Sequence, residues 1–92
     1  MSDNVKTITT SASLDTGTGR LVGMILSASS GTVAFTFYDN TAGSGTKLLE
    51  IQVPNSQPVI LFLAERFFIN FSTGLYLSVG VGGSATVWWS AY

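Results

Sequence analysis

The chain has no cysteine and no histidine in 92 residues. The first absence removes disulfides and thiolate metal ligands, and the second removes the commonest general base and the commonest zinc ligand. Charge is scarce as well. Four basic residues (Lys6, Arg20, Lys47, Arg66) face five acidic ones (Asp3, Asp15, Asp39, Glu50, Glu65), for a net charge of -1 with neither sign clustered. Nothing here supplies the basic field that a phosphate backbone demands, so no nucleic-acid partner is expected. Long apolar runs are missing too: the longest, Val59–Ala64, is broken by Glu65 and Arg66 well short of the roughly 20 residues of a membrane-spanning helix. No membrane partner is expected. The start, MSDNVKTITT, lacks a basic region followed by an apolar one, so no secretory leader is read there and synthesis in the cytoplasm is expected.

Catalysis has little to stand on. A serine nucleophile would have no histidine beside it, and the acids are scattered through turns and strand edges rather than set as the facing pair that glycoside hydrolysis uses. The expectation is a protein that is not an enzyme, with no cofactor and no metal.

What the chain has in quantity is apolar surface. Hydrophobic residues make up 46% and charged residues 10%, against about 25% charged in an ordinary soluble domain. A single domain of this length buries only roughly 60–65% of its unfolded surface. A monomer could hardly cover what remains with polar groups, which points to a homo-oligomer or a docked subunit.

Strand signals recur along the whole chain, and no segment holds a helical period for three turns. Strands are read near Val5–Leu14, Arg20–Ser29, Thr32–Tyr38, Lys47–Val53, Val59–Leu63, Phe67–Phe71, Leu75–Val81 and Ala85–Ala91, with turn chemistry between them. The fold expected is all-β: an antiparallel β-sandwich, jelly-roll-like, of about eight short strands, forming one domain over 1–92 with residues 1–10 as a flexible arm. Val33, Phe35 and Phe37 should share one face, Leu75, Leu77, Val79 and Val81 another, and Val87, Trp89 and Ala91 a third, leaving Tyr76, Trp88 and Tyr92 on outer faces. Two runs, RLVGMILSA and VILFLAERFFINF, are apolar on both faces, and without helices the second cover would be another subunit.

Three constellations merit weighing. The loop in TFYDNTAGSGTKLLEI is no phosphate cradle, because Gly43, Gly45 and Lys47 are misspaced and the following KLLEIQV alternates like a strand. A calcium turn at Asp39 and Asn40 lacks the further carboxylates it needs. A structural turn fits better, with Asp39 or Asn40 bonding nearby backbone and Gly43 and Gly45 as joints of positive φ. Glu65 and Arg66 are adjacent in the most apolar region, beside Phe67 and Phe68. On a strand they would point to opposite faces and seek partners across a subunit contact; in a loop both would be solvated. The aromatics Tyr38, Tyr76, Trp88 and Tyr92 suit a subunit contact, core packing or a platform for stacking sugars.

The order of features is informative: GRLVGMILSASSGTV, a strand ending Tyr38-Asp39-Asn40, a small-residue loop closing with Gly45-Thr46, and a tail whose strand begins Gly74-Leu75-Tyr76-Leu77. Over about residues 19–92 this resembles the small β-sandwich structural proteins of tailed-phage virions. The resemblance implies a capsid decoration or cement protein that binds the phage head as a homo-oligomer, a trimer being favoured, with the major capsid protein or other virion proteins as partners. The alternative it implies is a head-fibre or tail module that binds host-surface glycans. Interface residues expected on this reading are Glu65, Arg66, Phe67, Phe68, Tyr76, Trp88 and Tyr92, on the virion surface.

Overall fold

β-branched and aromatic residues in alternation, cut by Gly, Ser, Asn and Pro, build strands throughout. The computed structural model describes residues 2–62 and 69–91. In chain order the strands are β1 (Ser2–Ile8), β2 (Ala12–Asp15), β3 (Gly19–Ala28), β4 (Thr32–Asp39), β5 (Thr46–Pro54), β6 (Val59–Phe62), β7 (Ile69–Phe71), β8 (Leu75–Val79) and β9 (Gly83–Ala91). One sheet has the order β1-β9-β3-β6 with β7 also on β3, and the other has the order β2-β8-β4-β5. Every pairing is antiparallel.

The pairings nest. The outermost strands β1 and β9 pair, then β2 with β8, then β3 with β6 and β7, and innermost β4 with β5. Successive nested pairs alternate between the two sheets, which is the path of a long hairpin rolled into a jelly roll. β6 and β7 share one edge of β3, Phe62 opposite Gly23 and Ile69 opposite Leu21, and so take one strand's place in that path.

Inward faces meet in a single core. Leu21, Met24, Leu26, Phe71, Ala85, Val87 and Trp89 come from the five-stranded sheet, and Val33, Phe35, Phe37, Val53, Leu75 and Leu77 from the four-stranded one. The expected alternation in β4, β8 and β9 places these residues as read from sequence. β3 departs from it. A bulge between Leu21 and Gly23 in its pairing with β9 shifts the parity, so Leu21 joins Met24 and Leu26 inside while Ile25 stays half-buried.

Three expectations need correction. The first strand is two strands in different sheets, because the chain crosses the sandwich through 9–11. The segment expected as a flexible arm holds the edge strand β1, registered against β9 from Ser2 opposite Ala91 to Ile8 opposite Ala85, with Ile8 in the core. Val81, expected on the inner face of β8, is 101% exposed in the turn between β8 and β9. That turn reverses the chain over Gly80–Gly83, with Gly83 N–H bonded to Gly80 O at 3.1 Å and Gly82 at φ 87.

Close approach explains the glycine that opens β9. A Cβ on Gly83 would lie 2.8 Å from Val33 Cγ1 and 2.8 Å from Val79 Cγ1. The two sheets are also tied by one polar contact across the core edge: the Trp89 indole N–H donates to Asp15 Oδ2 at 2.9 Å, while Asp15 Oδ1 accepts the Gly17 N–H at 2.9 Å.

Candidate functional site

The sandwich has two outer faces, and they differ in chemistry. On the five-stranded sheet, register sets Val5, Trp88 and Gly23 in one row and Thr7, Thr86, Ile25 and Ile60 in the next. Val5 is 59% and Ile60 63% exposed, with Trp88 and Ile25 half-buried between them. The Thr7 and Thr86 hydroxyls bond each other at 2.9 Å, which satisfies polar groups in the middle of this face. By register, the two central rows hold no charged residue among the described ones; Arg20 stands beside Ser90 at one end, and the exposed Lys6 lies on the edge strand β1. Solvent therefore meets an apolar stripe bordered by hydroxyls.

The outer face of the four-stranded sheet is polar and aromatic. Ser13, Tyr76, Tyr38 and Lys47 stand in one row, and Ser78, Thr36 and Glu50 in the next. The half-buried rings of Tyr38 and Tyr76 meet edge to face, centroids 6.5 Å apart at 61°, an arrangement the ring quadrupoles favour. Thr36 donates its hydroxyl to Glu50 Oε2 at 3.2 Å, and Lys47 Nζ lies 3.6 Å from the same oxygen. No Ser-x-x-Lys spacing was expected in this chain, yet Ser44-Gly45-Thr46-Lys47 has that spacing of an acyl-transfer motif. Here it leads into β5 rather than onto a helix, and its lysine is engaged with Glu50.

The loop between β4 and β5 borders this second face. Asn40 braces it from within: its Oδ1 accepts the Thr41 N–H at 2.8 Å and its Nδ2 donates to Ser44 O at 2.8 Å. Gly45 sits at φ 98, as a joint of positive φ should. Gly43, also expected as a joint of positive φ, is not one; its reason to be glycine is space, since a Cβ there would lie 3.1 Å from Cε1 of Tyr76.

Of the two residues expected to brace the turn, Asn40 bonds nearby backbone and Asp39 does not. Its carboxylate reaches the connection between β7 and β8, accepting the N–H groups of Ser72 at 3.0 Å, Thr73 at 2.8 Å and, more weakly, Gly74 at 3.4 Å, with the Ser72 hydroxyl on Oδ2 at 3.2 Å. Partial burial pushes its pKa up, but the Thr73, Ser72 and Gly74 N–H groups and the Ser72 hydroxyl outweigh that and hold it below the ordinary 3.8. This occupied nest clamps two loops at one end of the sandwich.

Of the expected interface residues, Tyr76 and Trp88 both face outward but on opposite sheets, so they form no common patch. Glu65, Arg66, Phe67, Phe68 and Tyr92 lie outside the described residues. Asp39, Asn40, Gly43 and Gly45 cluster at the loop end as a structural unit. Among the described residues no group of three or more His, Cys, Asp or Glu could hold a metal ion. No protein-family model, curated protein or solved structure matches the chain.

Proposed function

We propose that this chain is a structural, self-associating protein of a phage virion, most simply a decoration or cement protein of the head. The observation that carries the reading is the apolar outer face of the five-stranded sheet, with Val5 and Ile60 open to solvent on a sheet whose core side is already filled. With β3 of 10 residues and four strands abreast, that face measures roughly 500–650 Å². Covering it once removes about 1,000–1,300 Å² counted over both partners, at the lower edge of standard protein interfaces. Among the described residues its central rows hold no charge by register, so a second copy meets no like-charge repulsion from them.

The virion context comes from the sequence resemblance, which also favours a trimer. In that setting each copy works by area: it bridges neighbouring shell subunits, and binding energy gained only in the assembled shell opposes their separation. No bond is made or broken, and no cofactor, nucleic acid or membrane is required.

Light scattering across a concentration series tests the self-association: a mass above one chain is expected, three chains being the number the resemblance favours. Val5→Asp with Ile60→Asp should give monomers. Each side chain contributes about 1–2 kcal/mol per copy once covered, so losing both raises the dissociation constant at least a hundredfold. A wild-type monomer at every concentration, or an oligomer indifferent to both substitutions, refutes the assignment of this face. The virion role is tested in particles purified from the source of the gene: a fixed copy number co-sedimenting with heads supports it, and a chain confined to the soluble lysate overturns it.

A further inference from the structure

The opposite face carries a separate feature that self-association does not use. On the four-stranded sheet, Tyr38 and Tyr76 present half-buried rings at 6.5 Å beside Glu50, whose carboxylate is oriented by Thr36 at 3.2 Å and Lys47 at 3.6 Å. The neighbouring loop packs against Tyr76. Gly43 brings backbone against its ring where even a Cβ would sit at 3.1 Å, and the exposed loop residues around it, Thr41, Ala42 and Ser44, are all small. Asn40 fixes the loop through its two bonds at 2.8 Å, and Asp39 fixes the strand end from which it springs. The loop and the strand end are thus braced before any ligand arrives, which lowers the cost of ordering them on binding.

We infer that this face is a binding platform for a neutral pyranose sugar, seated on Tyr76 beside Tyr38 with its hydroxyls held by Glu50. A pyranose offers an apolar C–H face that suits an aromatic ring and a rim of hydroxyls that donate to a carboxylate. Glu50 keeps Oε1 available, since both of its partners are on Oε2. Glu50 is the acceptor offered to the sugar hydroxyls, a role that needs no charge on the sugar. The hydroxyls of Ser13 and Ser78, in the rows of Tyr76 and Thr36, extend the polar rim. The platform depends on neither the virion assignment nor the oligomer, because it lies on the other sheet.

The test is a titration of the isotope-labelled full chain, followed by amide NMR, with methyl glucoside, methyl galactoside, N-acetylglucosamine and sialic acid. Saturable shifts are expected with at least one neutral sugar, in the millimolar range, confined to Thr36, Tyr38, Gly43, Glu50, Tyr76 and Ser78. Tyr76→Ala should weaken binding at least tenfold and Glu50→Gln severalfold, while Tyr76→Phe keeps most of it. Matching unfolding curves for Glu50→Gln and Tyr76→Phe separate lost binding from lost folding. The inference is overturned if no neutral sugar gives saturable shifts, if only sialic acid binds, or if Tyr76→Ala and Glu50→Gln both leave sugar binding unchanged. It is equally overturned if Tyr76→Ala changes the oligomer mass rather than sugar binding, which would make the platform a protein interface. Monomeric Val5→Asp/Ile60→Asp protein should bind the same sugar unchanged, so failure of the oligomer proposal and failure of this one give different results.

Discussion

Replacing Trp89 with phenylalanine tests whether one polar contact helps hold the two sheets together. Trp89 is 5% exposed and faces the core, so its indole N–H must find a partner inside; it donates to Asp15 Oδ2 at 2.9 Å, from β9 in one sheet to the end of β2 in the other. Phenylalanine keeps an aromatic ring there but removes the donor. A hydrogen bond to a charged acceptor contributes about 1.5–3 kcal/mol, and the smaller ring forgoes burial of about 40 Å², or about 1 kcal/mol. The expected loss is about 2.5–4 kcal/mol out of the 5–15 kcal/mol typical of a domain.

A double-mutant cycle isolates the bond from the packing. Trp89→Phe, Asp15→Ala and the double variant are compared with wild type by urea unfolding, followed through tryptophan fluorescence and circular dichroism. Protein concentration is held fixed, because association would otherwise enter the stability. Asp15→Ala also loses the bond from the Gly17 N–H, and that loss appears on both arms and cancels. A coupling of about 1–2 kcal/mol is expected. Additivity within about 0.3 kcal/mol would mean the contact adds nothing to stability and would refute the reasoning.

Two further predictions concern the fold's tight points. Asp39→Ala frees the Ser72–Gly74 backbone N–H groups and should cost about 1 kcal/mol at neutral pH, modest because the cluster is solvent-accessible. The Asp39 pKa is lowered in the folded state, so its stabilisation is complete above the unfolded value and is lost as pH falls through the folded one. The stability gap between wild type and Asp39→Ala should therefore close at pH below the ordinary 3.8, and a gap that persists undiminished in strong acid would contradict it. Gly83→Ala should destabilise by about 1–3 kcal/mol in the same urea assay, since its methyl meets Val33, Val79 and Phe35 at once. Gly19→Ala should be worse, because its methyl collides with the backbone carbonyl of Ser90, which has no rotamer to escape into, and a stably folded Gly19→Ala protein would be the contrary result.

The inner faces of β4, β8 and β9 were legible because unbroken alternation is a local property: Val33, Phe35 and Phe37 fall inside by parity alone. Parity fails where a strand bulges. The extra residue between Leu21 and Gly23 puts Leu21 and Met24 on the same side, although three positions apart they read as opposite. The break at 9–11 was missed for a similar reason, since a strand that changes sheets carries no composition of its own. Polar contacts were the least legible. Asp39 finds Ser72 and Thr73 more than thirty residues away, and Trp89 finds Asp15 from the far end of the chain. Such pairs exist only after the nested hairpin has rolled, and no local residue pattern announces them.

That rolling also explains how a chain so poor in charge keeps two unlike surfaces. Because the nested pairs alternate between sheets, every second pair contributes its outward residues to the same face. Lys47, Glu50 and the tyrosines belong to pairs of the four-stranded sheet, while Val5, Ile25, Ile60 and Trp88 belong to pairs of the five-stranded one. Between them lies a core of fully buried side chains, Leu21, Met24, Leu26, Phe35 and Phe37 among them, in the layer of roughly 10 Å that separates packed sheets. A change on one outer face reaches the other only through that close-packed layer, so the two surfaces can be substituted nearly independently. Among the described residues, Lys47 and Glu50 stand on the face of the four-stranded sheet while the central rows of the other face hold no charge, so on the proposed reading that face can be covered without leaving a buried charge unpaired.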